Sequence, residues 1–407
     1  MATERIVAAL DIGTTKISVV IGEMDEQGEV YVVGHGSSPA EGLRRGVVVD
    51  MDKTVKSIRK AVEDAQLVSG VEVDRVTVGI AGEHIRSINS HGVIAVSRSD
   101  NEITRADVQK AIEAARTVAI PVDREIIHVV PQTFSVDDQS GIKDPVGMTG
   151  VRLEVEAHIV TASVTSAKNI YRALERCNLA VDHIVLESLA LSHALLIEDD
   201  LEAGCVLLDL GGDITDVSLF YDGAIRHTAV IPLGAKNVTN DIAIGLRTSV
   251  TQAEDLKLAH GSALTSSVDP TEMISVPGVG GREPKEVSRN VLASIIEPRM
   301  EEIFSLVARE LKKAAQPDAL TGGMVLTGGG ALLSGSVELA EQIFDMPVRA
   351  GTIRGLASVP EEINTQVHAA SLGLLLYGFA HEADTVARRK AVKGWLSRLE
   401  NWITKRL

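Results

Sequence analysis

An α/β architecture of two like lobes is expected from this chain, and three segments carry the expectation. Val7-Ala8-Ala9-Leu10-Asp11-Ile12-Gly13-Thr14-Thr15-Lys16 is an apolar run ending in Asp-x-Gly and then hydroxyl-bearing and polar residues. Val206-Leu207-Leu208-Asp209-Leu210-Gly211-Gly212-Asp213-Ile214-Thr215-Asp216 repeats the pattern in the second half. Met324-Val325-Leu326 leads into a third glycine cluster, Thr327-Gly328-Gly329-Gly330. A glycine after a buried strand lets the chain turn tightly with its N–H groups outward, which suits a phosphate. Two such turns at corresponding points imply a cleft with one phosphate hairpin from each half. The third cluster fits its nucleoside end.

The elements follow in order. Strands are predicted over 6–12 and on to 22, over 29–34 across the turn Asp25-Glu26-Gln27-Gly28, and over 46–50. A helix from about Lys53 to Leu67 follows, with Asp52 as N-cap and Val55, Ile58, Val62 and Ala65 on one face. Strand 76–81 closes this unit. The second half repeats the order, with strands near 205–210, 214–221 and 224–231 and a helix from about Ala235 to Gly245. Strands leading into helices imply layers around a mixed sheet.

Residues 85–164 have a different texture and read as an inserted α+β subdomain. They show a strand pair at Ile85–Ile88 and Val93–Val96, a helix from Thr104 to Val118 and strands at Glu125–Val130 and Val151–Ala162. Thr104-Arg105-Ala106-Asp107 is a near miss to a capping box, and Asp137–Gly150 reads as a loop. A second insertion at 248–320 reads as largely helical, with a loop at Val276–Pro284. The expected domains are therefore 1–84 continued by 165–203 and about 372–384, the insertion 85–164, 204–247 with 321–371, the insertion 248–320, and a tail at 385–407.

Length and composition bound the function. The chain has 407 residues, 45% of them hydrophobic and only 3% aromatic, so large aliphatic cores are expected. Cys177 and Cys205 are too few for a disulfide framework or a zinc site and read as buried hydrophobes in a reducing cytosol. No signal-peptide pattern precedes the strand at Ile6, and no apolar run approaches the ~20 residues that span a bilayer. A net charge of −16 argues against nucleic acid as a partner. That charge is uneven. Residues 385–407 hold seven basic side chains and one acid, a net +6, leaving −22 on the rest.

Asp11 and Asp209 end the two buried strands, where they are suited to hold Mg²⁺ through water or, alternatively, to cap the turn. Thr14, Thr15 and Lys16 offer hydroxyls, N–H groups and a point charge to phosphates. Asp213 stands where a third glycine would be usual, and its charge is unfavourable beside a phosphate unless it is screened or turned away. Glu254 and Lys257 lie one helical turn apart and share a face. On a helix, Val392, Trp395, Leu396, Leu399, Trp402, Ile403 and Leu407 fall on one broad face, opposite Lys393, Arg398 and Lys405. Both tryptophans of the protein are in this stretch. A core helix would show the same stripe, but the charge and the indoles fit the membrane surface.

The ordered motifs Asp11-x-Gly13-Thr14-Thr15-Lys16, Asp209-x-Gly211-Gly212 and Gly328-Gly329-Gly330 resemble the two phosphate motifs and the adenosine motif of the actin/heat-shock-70/sugar-kinase ATPase superfamily. His368-Ala369-Ala370-Ser371-Leu372-Gly373 falls where that superfamily has its hinge segment. Within it, the segment Gly141–Arg152, the runs Val279–Arg282 and Ile296–Arg299 and the tail Gly394–Leu407 resemble the FtsA family of bacterial cell division, essentially from end to end.

The resemblance implies a two-lobed actin-like ATPase fold of duplicated RNase H-like units, with ATP and Mg²⁺ in the cleft. It implies head-to-tail self-assembly, and anchoring of FtsZ filaments to an anionic cytoplasmic membrane through Trp395, Leu396, Arg398, Leu399, Trp402, Ile403 and Lys405. Later division proteins would be further partners. Phosphates would meet Asp11, Gly13, Thr14, Thr15, Lys16, Asp209, Gly211 and Gly212, and the adenosine Glu254, Lys257, Gly328, Gly329 and Gly330. Glu187 matches a carboxylate that orients the attacking water in related ATPases. Lys285, Arg289 and Arg299 match the region that docks the acidic, apolar C-terminal peptide of FtsZ. The implied role is a nucleotide-binding scaffold with at most weak ATPase activity. A pilus-assembly actin-like scaffold, a heat-shock-70-type ATPase and a sugar kinase are the alternatives.

Overall fold

The computed structural model describes residues 5–278, 280, 283–314 and 320–382. Two five-stranded sheets form its frame. In the first, the hairpin Arg5–Ile12 and Lys16–Met24 continues antiparallel into Val30–Pro39. Arg75–Ile80 then joins Arg5–Ile12 in parallel, and Ala180–Leu186 joins Arg75–Ile80 in parallel. The second sheet repeats this plan. Cys205–Leu210, Thr215–Tyr221 and Ala224–Ile231 are antiparallel, while Met324–Thr327 and Val348–Ala350 add in parallel on the other side. Both central strands are covered on both faces, which is why they read as unbroken apolar runs: Ala9, Leu10, Val206 and Leu208 are all fully buried.

One face of the first sheet packs Leu10, Ile17 and Ile21 against Ile58 and Ala65 of helix Met51–Ser69 and Leu174 of helix Val164–Glu175. Its other face packs Ala9, Val20 and Val185 against Leu372 and Leu375 of helix Ala369–Ala380. The second sheet is backed by the long helix Arg289–Ala314, through Ile296, Ile303 and Phe304. Helix Glu187–Leu195 lies between the lobes, with Leu191 and Leu195 against Leu207 and Val325. It crosses Ala369–Ala380 so closely that a Cβ on Gly373 would come 2.1 Å from the Ala190 carbonyl oxygen.

The inserted subdomain is a four-stranded antiparallel sheet in the order Arg86–Ala95, Arg152–Ser163, Arg124–Val136, Gln139–Ile142, with helix Arg105–Arg116 on one face. The strand pair expected at 85–88 and 93–96 is instead the single strand Arg86–Ala95. Gly92 is no turn. A Cβ there would lie 2.1 Å from the Ala111 carbonyl, so the residue lets the helix approach. The expected loop 137–150 holds a short strand, Gln139–Ile142, which turns back at Asp137 (φ 51°). Thr104 and Asp107 do close a capping box, the shorter acid sufficing.

Further corrections are local. Helix Met51–Ser69 is capped by Asp50, whose side chain accepts from the Lys53 N–H at 3.2 Å, and the expected cap Asp52 falls in the first turn. The strand expected over 46–50 shrinks to Val47–Val48, and the one over 29–34 extends to Pro39. The second insertion holds helices Val250–His260 and Arg289–Ala314 and also a hairpin, Met273–Val276 with Lys285–Ser288.

The inserted subdomain also touches the second lobe. The side chains of Ser87, Asn89 and Gln132 donate to the carbonyls of Thr228, Arg226 and Ile225 at 3.0, 3.3 and 2.8 Å. Buried His158 is hydrogen-bonded to Asn89 at 2.7 Å and to Thr228 at 3.1 Å. Among the described residues no helix is long and apolar enough to cross a membrane.

Candidate functional site

A cavity of about 1000 Å³ opens between the lobes. Each lobe contributes a hairpin with a four-residue loop: Ile12 pairs with Ile17 around 13–16, and Leu210 with Thr215 around 211–214. Inside each loop the first glycine faces a backbone oxygen three residues on. A Cβ on Gly13 would lie 2.8 Å from the Lys16 carbonyl, and one on Gly211 3.0 Å from that of Ile214. The two loops meet across the cleft, since a Cβ on Gly212 would fall 2.2 Å from Thr15 Oγ1.

The third turn follows Met324–Thr327. Gly328 has φ +85°, and its Cβ would strike Asp209 Oδ1, while that of Gly330 would strike Leu210 Cγ. Gly329 alone is exposed, and a Cβ there would meet only Val367 Cγ2, at 4.0 Å. All three line the same cavity as Asp11, Gly13, Thr14, Thr15, Lys16, Asp209, Gly211 and Gly212.

Four carboxyls, Asp11, Asp209, Asp216 and Glu187, line the end of the cavity next to the two hairpin loops. Burial is the main cause that lifts Asp11 to about 6 and Asp209 to about 7, and it pushes Asp216 and Glu187 well above the ordinary carboxylate range. Repulsion from neighbouring carboxyls adds to the effect at Asp209, Asp216 and Glu187, whereas Lys16 draws Asp11 down. Glu187 feels Asp11, Asp216 and Asp209 in that order. Among the described residues no group of three His, Cys, Asp or Glu is set to hold a metal directly. A Mg²⁺ that keeps much of its water and meets one or two carboxylates fits this donor set.

Lys16 lines the cavity, but its ammonium donates to the Val367 carbonyl at 2.8 Å and lies 2.9 Å from His368 Nδ1. Burial lowers it to about 8, against the pull of Asp11. His368, itself lowered to about 4 by burial and by Lys16, is neutral and can accept. In this geometry Lys16 ties the first phosphate loop to the segment before helix Ala369–Ala380.

Elsewhere on the cavity wall, Lys257 is buried and pairs with Glu254 at 2.8 Å. It also donates to Thr239 Oγ1 at 2.9 Å, and Thr239 hydrogen-bonds Glu254. Arg289 lines this cavity too, donating to the His260 carbonyl and pairing with Glu272 at 2.9 Å. Arg299 is held by Asp241 at 2.6 Å and by Glu302, whereas Lys285 is exposed on its hairpin strand. Of the three cations expected along one edge, two are thus engaged internally. Trp395, Leu396, Arg398, Leu399, Trp402, Ile403 and Lys405 lie outside the described residues.

Sequence reasoning missed Asp216, Lys236, Thr239 and Asn240, all on the cavity wall. Asp216 was accessible, because a four-residue hairpin loop sets it opposite Asp209. The others carry no local signal, since they reach the cleft from the first turns of a helix that begins after three strands.

The profile of the family described as "Cell division protein FtsA" matches residues 206–373, and that of the "SHS2 domain inserted in FTSA" matches 82–161. Among curated proteins, the "Cell division protein FtsA" of Pseudomonas aeruginosa is 42% identical over 98% of this chain and 97% of its own length. Those of Neisseria meningitidis and Escherichia coli K12 are 41% and 36% identical, over 98% and 99% of both chains. The fold is shared with a solved PilM–PilN type IV pilus biogenesis complex at 16% identity, covering 92% of this chain and 98% of that one, with a TM-score of 0.66. It is shared as well with MreB5 of Spiroplasma citri bound to ADP, at 15% identity, 95% and 98% coverage and a TM-score of 0.55. The pilus protein and MreB therefore speak for an actin-like fold, while the full-length matches at two-fifths identity speak for kinship. This actin-like chain belongs to the FtsA family of cell division proteins.

Proposed function

We propose that the protein is an ATP-binding division scaffold. In this reading it assembles head to tail on the cytoplasmic face of the membrane and anchors FtsZ filaments there, to which later division proteins are recruited. The observation that carries the nucleotide part is the convergence of both hairpin loops and the Gly328–Gly330 turn on one cavity. That MreB5 of the same fold was solved with ADP, and another MreB5 structure with AMPPNP, supports it.

Backbone N–H groups of the two loops and the Thr14 and Thr15 hydroxyls would hold the phosphates. Asp11 and Asp209 would hold Mg²⁺ through water, and the ion supplies the positive charge that four buried carboxyls and a triphosphate require. Gly328, Gly329 and Gly330 leave room for the adenosine, beside the Lys257–Glu254 pair. A ligand that touches both lobes favours one lobe angle over others, which is what biases an assembly contact. Glu187 would orient the attacking water. Burial, and then Asp11, Asp216 and Asp209, push its carboxyl well above the ordinary carboxylate range.

FtsZ docking is assigned to the second insertion. Its hairpin and the following helix offer an exposed cation, Lys285, and exposed apolar Met273 and Val291, chemistry suited to an acidic, apolar peptide. Arg289 and Arg299 would add charge at the rim, acting on encounter rate and salt dependence. The domain limits are taken as 85–164 and 248–320 for the insertions and 385–407 for the tail.

The test is co-sedimentation with anionic vesicles in the presence of ATP. Each Lys or Arg near anionic lipid contributes about 1 kcal/mol, so one tail binds marginally and linked tails bind strongly. The intact protein should carry FtsZ onto the vesicles, and Trp395→Glu or removal of residues 394–407 should leave both proteins in solution with ATP binding unchanged. Retention of the truncated protein on vesicles would contradict the anchor. Normal FtsZ peptide binding by the Arg289→Glu, Arg299→Glu double variant at low salt would contradict the docking region.

A further inference from the structure

We propose that Lys236 is a cation for the terminal phosphate of the bound nucleotide, stored on Asp213 and on the first phosphate loop until that phosphate arrives. The proposal rests on the cleft being a nucleotide site. Lys236 Nζ lies 3.1 Å from Asp213 Oδ1 and donates to the Thr14 carbonyl at 2.8 Å. The other oxygen of Asp213 accepts the Arg45 N–H at 3.1 Å. Both contacts join the lobes, because Asp213 and Lys236 belong to the second and Thr14 and Arg45 to the first.

Three observations favour a phosphate as the final partner. First, the cavity wall is short of available positive charge at this end. Asp11, Asp209, Asp216 and Glu187 surround it, and the ammonium of Lys16 is committed to Val367 and His368. Second, Lys236 is fixed at its root, and its side chain remains open to the cavity. Its own N–H donates to the Gly212 carbonyl at 2.8 Å, and the preceding Ala235 N–H to that of Gly211 at 2.9 Å. The side chain is nonetheless 42% exposed and lines the cavity. Its four-carbon stem can swing the ammonium from the Thr14 carbonyl toward a phosphate held by the same loop. Third, Asp213 sets a carboxylate in a loop that would otherwise repel the ligand. Lys236 offsets that charge, and the Arg45 N–H still satisfies Asp213 once Lys236 has moved.

Direct titration of the full chain with ATP and with ADP separates this from a purely structural clasp. A charge-assisted contact to the last phosphate is lost with Lys236→Met. ATP affinity should then fall roughly tenfold or more, while ADP affinity changes less than about threefold. Lys236→Arg should keep the preference for ATP. Asp213→Asn, which releases Lys236 and removes a charge from the loop, should tighten ATP binding. Equal losses for ATP and ADP, or no loss in Lys236→Met, would overturn the proposal, as would weaker ATP binding in Asp213→Asn. If Lys236→Met melts early, Lys236→Gln is read by the same ATP-to-ADP ratio. An unmodified chain that binds neither nucleotide would remove the cleft reading and this proposal together, whereas failure confined to the variants would remove this proposal alone.

Discussion

The two lobes have one backbone plan and two chemistries. Each has three antiparallel strands followed by two parallel ones, in the same spatial order. Each turns its first hairpin in a four-residue loop whose leading glycine would place a Cβ about 3 Å from the same relative carbonyl. The loop contents differ. The first lobe supplies Thr14, Thr15 and Lys16, and the second supplies Gly212, Asp213 and Ile214. The insertions also leave from different points, after the fourth strand in the first lobe and after the helix Ala235–Leu246 in the second. The repeated plan thus preserves the turn and leaves its side chains free to differ. One lobe brings hydroxyls and a lysine to the cavity, and the other brings glycines, the Gly328–Gly330 turn and an acid paired with Lys236.

The comparison breaks most visibly at the helix starts. Asp50 caps Met51–Ser69 from outside the cleft, but Gly234, which caps Ala235–Leu246, is pressed against the second phosphate loop. A Cβ on Gly234 would lie 2.5 and 2.6 Å from the carbonyl oxygens of Gly212 and Gly211. Gly234→Ala should cost about 3 kcal/mol and weaken nucleotide binding with it. Thermal unfolding and ATP titration of the same preparation check both. Next in size, Gly13→Ala and Gly211→Ala should each cost about 2 kcal/mol, and by similar amounts, because the added methyl meets backbone in both. A large disparity in denaturant midpoints would show the loops to be alike in outline only. Asp50→Ala should cost about 1 kcal/mol in the same assay and leave ATP affinity untouched.

The smallest effect concerns the contact between the first lobe's insertion and the second lobe. Burial, and then His227, lowers His158 from 6.5 to about 4. The folded state therefore binds fewer protons than the unfolded chain between those values. Its contribution to stability is present above pH 6.5 and is lost as pH falls toward 4. His84, His128 and His368, also lowered to about 4, act in the same direction. Melting temperature should fall from pH 7.5 to pH 5, and His158→Gln should make that fall shallower. An unchanged slope would mean that the contact at Asn89 and Thr228 does not sense protonation.

What the chain revealed in advance was local. The turns at Gly13, Gly211 and Gly328 were legible because a strand, a glycine and the next strand are consecutive. The single strand Arg86–Ala95 reads as two in the sequence, and the reason Gly92 within it is glycine lies in Ala111, on a helix that follows it. Asp52 reads as the cap in the sequence because Asp50, the actual cap, carries the same chemistry two residues before it. Lys16 was legible as a cleft residue, but its partners Val367 and His368 come from the far end of the chain. The pair Asp213–Lys236 is separated by the hairpin Thr215–Tyr221 and Ala224–Ile231, and only the folded second lobe brings it together. The amphipathic pattern at 392–407 lies outside the described residues and stands on the sequence alone.

The cleft itself is tested most directly by ATP titration of Gly329→Val. Gly329 is the one glycine of its cluster that can take a side chain without striking its neighbours, so the fold should tolerate the change while the isopropyl group fills the space for the adenosine. The expected result is an unchanged melting curve without nucleotide and no measurable ATP binding. Full ATP affinity in a normally folded Gly329→Val protein would contradict it.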